Sequence, residues 1–205
     1  MSGLNKEVQR AVKAAVHPLG FSATRTRGIF IQKRGEGAFG WLGLNDNDTD
    51  MPRSLNINPV VGAGHERVLQ VLAELDPDNG EYAPVISQNL GYTMPEPTYR
   101  TWRFFRDGGV DATAEDLAAN LTAYGEPFIA QWADWGRFST EIETTDLLHE
   151  YTRCVVIPVV RVLNGRLKDA FEMVEAELAR VAESQDVYAM FYRDEYAVRF
   201  RARKW

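Results

Sequence analysis

The spacing of apolar side chains along the chain starts with a helical period, changes to a period of two residues, and then returns to the helical one. Apolar positions from Leu4 to Ala15 share one face at helical spacing. Pro18 and Gly20 follow them, and both residue types end helices. The first element is therefore predicted to be an amphipathic helix that closes just before Pro18.

Alternating or uniformly apolar stretches predict five strands after this helix. They cover residues 28–34, 39–45, 54–61, 84–92 and 99–106. Leu55 and Ile57 alternate with Asn56 and Asn58, which is typical of a sheet with one face on a core. A helix over about 64–75 is predicted between the third and fourth strands.

Helical spacing returns in the second half of the chain. Thr113 and Asp116 have capping-box spacing, although Asp stands where Glu or Gln is usual. Further helices are predicted from Pro127, over 144–163, over 171–181 and over 188–200. The pattern predicts an α+β fold, with an N-terminal helix and a small antiparallel-rich sheet packed with a C-terminal helical half. We expect portions 1–110 and 111–205 to form one continuous domain.

The composition is that of an ordinary globular protein, with 45% hydrophobic and 25% charged residues. No run approaches the roughly 18 apolar residues of a membrane span, and the start MSGLNKEVQR lacks the apolar region of a signal peptide. The single cysteine, Cys154, cannot form an internal disulfide and is interpreted as a buried inert thiol. A cytoplasmic protein without a membrane segment is therefore expected.

The net charge of −6 argues against general nucleic-acid binding and suits a basic protein partner. The tail RFRARKW, residues 199–205, interleaves cations with aromatic residues, a combination that can hold single-stranded nucleic acid. We interpret the tail instead as a helix end, where positive charge complements the helix dipole.

The stretch PVVGAGHERV has the outline of a phosphate-binding turn between a strand and a helix. A dinucleotide fingerprint requires a third glycine where Arg67 stands, and no Gly-Lys-Ser/Thr tripeptide of a Walker loop occurs. Gly62 and Gly64 are therefore predicted only to turn the strand into the helix. His65, Glu66 and Arg67 are predicted to be solvated residues of its first turn.

The segment NDNDTD places Asp46, Asp48 and Asp50 at the spacing that begins a calcium loop. The EF-hand pattern then requires Gly where Met51 stands and Glu where Ile57 stands. We therefore expect a solvated acidic loop in place of a metal site. Its carboxylates would steer a basic protein partner.

Sequence motifs of catalysis and of metal binding are missing. The three histidines lie far apart in the sequence, and a structural zinc site would require more than one cysteine. No G-x-S-x-G nucleophile elbow occurs. We therefore expect no catalytic residue, no bound metal and no cofactor.

Aromatic side chains are the remaining candidates for contact with a ligand. Trp41 and Trp102, together with His65, are the first residues to consider for a pocket or an interface, although core packing is the default for such side chains. Tyr188 to Tyr196 crowd four aromatic rings onto one helix. A homodimer contact through this C-terminal aromatic helix is therefore a further hypothesis.

Several segments occur in an order that resembles uncharacterised bacterial protein families of unknown function. They are the N-terminal helix, LGF (19–21), INPVVGAGHERVLQVLAEL (57–75), ISQNLGY (86–92) and YGEPF (124–128). Some similar helix-then-sheet families are found beside polymorphic toxins and are proposed to be immunity proteins. The resemblance covers about the first two-thirds of the chain and includes no catalytic signature. It implies a protein-binding role and assigns no site residue.

Two hypotheses about function follow. The first is a non-enzymatic cytosolic protein that binds another protein, such as a toxin, through its acidic loop and exposed aromatic side chains. The second is a small-molecule-binding or enzymatic domain with a pocket between the sheet and the helices.

Overall fold

The computed structural model describes residues 3–47, 53–77 and 84–205. The helices and strands in this part follow in chain order: α1 (Gly3–Val16), β1 (Ser22–Ala23), β2 (Ile29–Lys33), β3 (Ala38–Gly43), β4 (Asp46–Asn47), β5 (Ser54–Ile57), β6 (Val60–His65), α2 (Glu66–Leu75), β7 (Ile86–Asn89), β8 (Trp102–Phe105), α3 (Val110–Asn120), α4 (Glu126–Ala133), α5 (Trp135–Glu141), α6 (Glu150–Leu163), α7 (Leu167–Val181), α8 (Val187–Phe191) and α9 (Ala197–Ala202). Short 3₁₀ and π turns join some of them. The α+β prediction is confirmed.

The chain divides into two compact units, each formed by two separate stretches. Unit 1 comprises Met1–Gly64 and Ile86–Asp134, and unit 2 comprises His65–Val85 and Trp135–Trp205. Helices α3 and α4 belong to the unit that holds the strands, and α2 belongs to the unit of the C-terminal helices. The division into portions 1–110 and 111–205 stays a prediction. Whether the chain forms one continuous domain stays a prediction.

The strands form two sheets, in which the pairs of known register are antiparallel. The five-stranded sheet has the order β1-β2-β3-β6-β7, and the three-stranded sheet has the order β4-β5-β8. The predicted strand 54–61 is in fact two strands, β5 and β6, which belong to different sheets. Asn58 and Pro59 separate them, and Pro59 has no N–H to continue a ladder.

Gly62 and Gly64 lie inside β6, so the prediction that they turn the chain into a helix is wrong. The strand continues to His65, and α2 begins at Glu66. A Cβ atom on Gly64 would lie 2.3 Å from Cζ of Phe39, so glycine is required here because the strand backbone approaches an aromatic ring. His65 is only 2% exposed, which also corrects its predicted solvated position.

The predicted capping box at Thr113 is also wrong. Helix α3 begins at Val110, after Gly109 in the left-handed conformation with φ of 79°. The backbone N–H of Thr113 donates to the carbonyl of Gly109, so Thr113 lies within the helix. The carboxylate of Asp116 accepts a hydrogen bond from Nε1 of Trp102 at 2.8 Å instead of capping a helix.

In unit 1, helices α3 and α4 are joined by a π turn at Leu121–Gly125. Pro127 follows this turn, has no N–H for the carbonyl four residues earlier, and would crowd that carbonyl with its ring. The backbone widens before the proline, and the N–H of Glu126 reaches the carbonyl of Leu121. The helix therefore continues through the position where a break was predicted.

In unit 2, Pro158 lies inside α6 and leaves the carbonyl of Cys154 without its usual helical donor. The hydroxyl of Tyr192 donates to that carbonyl at 3.4 Å, and the hydroxyl of Tyr196 donates to the carbonyl of Val155 at 2.7 Å. Both tyrosines are fully buried. The phenol of Tyr192 thus supplies the donor that the carbonyl of Cys154 lacks, and the phenol of Tyr196 supplies a further donor to the next carbonyl.

We expect Gly64→Ala to destabilise the protein by about 1–3 kcal/mol, because the added methyl group must displace the Phe39 ring from a packed position. Urea unfolding followed by circular dichroism measures the difference. Gly35→Ala is the matched control, since a Cβ atom at Gly35 meets no atom within 4 Å. Equal stabilities for the two variants would contradict the close-approach explanation.

We expect Tyr196→Phe to lower the free energy of unfolding by about 1–3 kcal/mol, because the carbonyl of Val155 loses its hydroxyl donor inside the protein. Tyr151→Phe removes a hydroxyl from a side chain that is 56% exposed and should change stability by less than about 0.5 kcal/mol. A loss as small for Tyr196→Phe as for Tyr151→Phe would show that the buried hydrogen bond contributes nothing.

Candidate functional site

The acidic residue Asp46 is occupied by contacts within unit 1. Its carboxylate forms an ion pair with Arg27 and accepts a hydrogen bond from Nδ2 of Asn5 at 3.1 Å. These contacts satisfy the charge that was expected to steer a partner. The other two residues of the predicted acidic site, Asp48 and Asp50, lie outside the described residues.

Trp41 and Trp102 are both buried in unit 1, at 8% and 4% exposure. The ring of Trp41 covers Gly43, where a Cβ atom would lie 2.1 Å from the ring. The guanidinium carbon of Arg100 lies 5.1 Å from the centre of the Trp102 ring. These contacts are those of packed side chains, and neither indole offers an exposed face for a ligand.

His65 belongs to an aromatic cluster in unit 2. Its ring centre lies 4.4 Å from that of Phe138 and 5.2 Å from that of Trp135. The guanidinium carbon of Arg67 lies 3.2 Å from the Trp135 ring, and Nε1 of Trp135 donates to Asn164 at 3.1 Å. His65 is therefore a buried packing residue of unit 2, and a site that combines it with Trp41 and Trp102 stays a prediction.

The aromatic residues of the last helical segment also pack inward. Tyr192 and Tyr196 are fully buried, and Tyr188 and Phe191 are half-buried. Successive ring centres are 5.6 Å apart from Tyr188 to Tyr192 and 5.0 Å apart from Tyr192 to Tyr196. A homodimer through this helix stays a prediction, and its aromatic residues are for the most part occupied within the unit.

Two open grooves on unit 1 adjoin each other beside β1 and β2. The first groove has a volume of about 340 Å³ and the second a volume of about 490 Å³, and both values are within the usual range of ligand sites. Ala23 and Thr24 line both of them, so the grooves meet at β1. We call the two grooves together the cationic track, after the basic residues that line it: Arg10, Lys13 and Arg27 in the first groove, and Lys33 and Arg34 in the second.

Local structure explains why these cations face outward. The buried stripe of α1 includes Val8 and Val12, so Arg10 and Lys13 lie one turn apart on its exposed side. In β2 the burial alternates, and Lys33 occupies an exposed position next to buried Gln32. Helix α1 and strand β2 thus present their cations to the same pair of grooves.

The charges of the track are only partly neutralised. Arg27 pairs with Asp46, and Arg34 pairs with Glu126 at the start of α4. Arg10, Lys13 and Lys33 are exposed and have no ion-pair partner within the described residues. Among the described residues that line either groove there is no Asp, Glu, His or Cys. The track therefore has a net positive charge.

Glu126 positions two side chains that line the second groove, Gln32 and Arg34. One carboxylate oxygen accepts a hydrogen bond from Nε2 of Gln32 at 2.9 Å, and the other pairs with Arg34. Nε2 of Gln32 also donates to the carbonyl of Leu19 at 2.5 Å. Helix α4 thereby fixes two side chains of the β2 segment and the turn that precedes β1.

A polar cluster inside unit 2 contains titratable groups whose pKa values are shifted from their ordinary values. Glu177 is 7% exposed, and its carboxylate accepts hydrogen bonds from Arg180 at 2.6 and 2.7 Å and from the hydroxyl of Tyr188 at 2.8 Å. Burial opposes ionisation of Glu177, but the donors outweigh it and lower its pKa. Arg180 and Tyr188 thus keep this carboxylate charged inside the unit.

The neutral members of this cluster, Tyr188 and Cys154, both have raised pKa values. Burial, and then the hydrogen bond to Glu177, raises the pKa of Tyr188 far above its ordinary value. Burial likewise raises the pKa of the half-buried thiol of Cys154, and neighbouring Glu177 adds to the effect. A thiol with a raised pKa is a weak nucleophile at neutral pH. The hydrogen bond between Glu177 and Tyr188 links α7 to α8.

The basic tail is held by contacts inside unit 2. Arg199 pairs with Glu195 and donates to the carbonyl of Leu75, and Arg201 pairs with Glu175. Arg203 pairs with Glu74. Three of the four cations of the tail, Arg199, Arg201 and Arg203, are therefore engaged in contacts within unit 2.

Sequence reasoning missed the three unpaired cations of the track. The net charge of the chain drew attention to acidic residues, and cations spaced along α1 and β2 look like ordinary solvated positions. One signal was present, because Arg10 and Lys13 share a helical face and Lys33 alternates with a buried neighbour. What the sequence could not show is that these elements line adjoining grooves.

Comparison of the chain with protein-family models, with curated proteins and with solved structures gives no match. Within the described residues, no group of His, Cys, Asp or Glu side chains is arranged to hold a metal ion. No helix in that part of the chain is long and apolar enough to cross a bilayer. Function must therefore be argued from the surfaces of the molecule.

We expect Glu177→Gln to destabilise the protein at neutral pH by about 1–3 kcal/mol, a range that allows for the exposure of Arg180. Because the pKa of Glu177 is lower in the folded state, its stabilising effect is present above its ordinary value of 4.5 and lost as the pH falls below it. The stability difference between wild type and variant should therefore narrow from pH 7 to pH 3. Urea unfolding at several pH values measures it.

Glu172→Gln provides the control for this experiment, since Glu172 is 65% exposed and its one ion pair among the described residues is with exposed Lys168 at 3.5 Å. Its stability difference from wild type should be small and nearly independent of pH. A Glu177→Gln difference that stays constant down to pH 3 would contradict the lowered pKa.

Proposed function

We propose that this protein is a non-enzymatic binding protein and that the cationic track contacts an acidic segment of another protein. The observation that carries the proposal is a set of three cations, Arg10, Lys13 and Lys33, which have no ion-pair partner among the described residues. They surround two adjoining grooves whose described lining contains no carboxylate. Exposed cations steer an oppositely charged partner and set its orientation. The resemblance described above makes a toxin one class of such partner, and the single cysteine is compatible with action in the cytoplasm.

The chemistry of the lining supports binding over catalysis at this surface. The grooves contain hydroxyls of Ser22, Thr24 and Thr26, but no described lining residue is a His or a carboxylate that could act as a general base. Thr24 and Thr26 are also engaged with each other in a turn, at 3.1 and 3.2 Å. Both grooves are open to solvent, which suits a polymer segment better than a small substrate that must be enclosed.

An acidic partner replaces the basic partner as the one that this surface fits. Asp46 neutralises Arg27 instead of facing solvent as a free charge. A basic partner bound elsewhere, and a pocket between the sheet and the helices, both stay predictions from the sequence.

A protein segment fits the track better than a nucleic acid does. Proteins that hold single strands combine a cationic groove with exposed aromatic rings on which bases stack. The one aromatic residue in the described lining is Phe30, and it is only 2% exposed. The cations of the track could contact phosphates, but its described lining offers no exposed ring on which a base could stack.

The test is binding of a fluorescein-labelled oligoglutamate peptide, measured by fluorescence anisotropy at low ionic strength. We expect the combined variant Arg10→Gln, Lys13→Gln and Lys33→Gln to bind about tenfold more weakly than wild type, because three exposed charge contacts are lost together. Added salt should weaken wild-type binding, since exposed charges are screened.

The matched control removes the same positive charge elsewhere, with Lys6→Gln, Lys168→Gln and Lys204→Gln combined. These lysines are exposed and lie outside both grooves. Equal binding losses in the two triple variants would mean that only net charge matters, and the proposal would fail. Oligothymidylate that binds more tightly than the peptide and displaces it would also overturn the proposal in favour of nucleic acid.

A further inference from the structure

The edge of the five-stranded sheet lies between the two grooves of the cationic track. Strand β1, Ser22–Ala23, is the first strand in the sheet order and pairs with β2. Ala23 lines both grooves and is exposed. The side of β1 that faces away from β2 therefore borders open space.

The register shows which backbone groups point to that open side. Ser22 lies opposite Ile31 and Ala23 opposite Phe30, and the N–H of Thr24 donates to the carbonyl of Ile29 at 2.9 Å. In an antiparallel pair, hydrogen-bonded and non-hydrogen-bonded residue pairs alternate. Since Thr24 is in a hydrogen-bonded pair, Ala23 is in a non-hydrogen-bonded one. Its N–H and its carbonyl must therefore point away from β2.

The two grooves lie where the side chains of an added strand would go. Phe30 lines only the first groove and Ile31 only the second, and consecutive residues of a strand face opposite sides of the sheet. A segment paired with β1 would direct alternate side chains toward the two grooves. One set would approach Arg10 and Lys13, and the other set would approach Lys33.

We infer that the acidic segment of the partner binds in an extended conformation and adds a strand to the sheet beside β1, through the N–H and carbonyl of Ala23. This inference rests on the proposed function and specifies the form of its ligand. Strand addition draws its affinity from main-chain hydrogen bonds and its specificity from alternate side chains. The stretch from Ile29 to Arg34 spans about 17 Å at the rise of a strand, so five or six partner residues would occupy the track.

The test compares Ala23→Pro with Ala23→Val, using the same labelled oligoglutamate peptide. Proline removes the outward N–H and is tolerated at the edge of a sheet, whereas valine keeps the N–H and suits a strand. We expect Ala23→Pro to weaken binding about fivefold to tenfold through the loss of main-chain hydrogen bonding, and Ala23→Val, which keeps the N–H, to bind at least about threefold more tightly than Ala23→Pro. Circular dichroism verifies that both variants are folded.

A second measurement uses the unaltered protein, so that it does not depend on the folding of Ala23→Pro. An oligoglutamate peptide N-methylated at every residue keeps its charges but loses the main-chain donors on both of its edges, and it should bind wild type about as weakly as the plain peptide binds Ala23→Pro. If the plain and N-methylated peptides bind equally while the charge variants of the track still lose affinity, strand addition is wrong and the proposed function stands. If the charge variants lose nothing either, both fail.

Discussion

The helical parts of both units depend on one constraint: a buried backbone carbonyl requires a donor even where proline removes the usual one. Pro127 is accommodated by a π turn, in which the N–H of Glu126 reaches back to Leu121. Pro158 leaves α6 short of a donor, and buried tyrosine hydroxyls supply donors to the neighbouring carbonyls. The π turn lets α3 continue into α4 without a break. The carbonyls of α6 beside Pro158 explain why two fully buried residues are tyrosines, which carry a hydroxyl donor, and not leucines.

The same accommodation positions the candidate site. Glu126 directly precedes Pro127 and closes the π turn, and its carboxylate reaches β2 to hold Gln32 and Arg34. A helix broken at the proline would not deliver this carboxylate to the strand. The position of Gln32 and Arg34 in the second groove thus depends on the π turn by which the backbone accommodates Pro127.

Charge is distributed unevenly between the units, and this explains why the net charge of the chain was a poor guide to the candidate site. Unit 2 contains seventeen Asp and Glu against twelve Lys and Arg, whereas unit 1 contains twelve against eleven. The acidic balance of the chain is therefore almost wholly a property of unit 2. Within the nearly neutral unit 1, Asp46 and Glu126 neutralise neighbouring arginines and leave other cations exposed.

The sequence by itself determined the fold class, the first helix and the approximate positions of most helices and strands, because periods of apolar residues report which face of an element is buried. It did not determine why glycine stands at position 64, since the ring of Phe39 comes near that strand only through sheet pairing. The candidate site is likewise a feature that the sequence by itself did not determine. Arg10, Lys13 and Lys33 are unremarkable in their own segments, and only the tertiary structure decided that a helix face, a strand and a free sheet edge meet, because side chains distant in sequence become neighbours only when the chain folds.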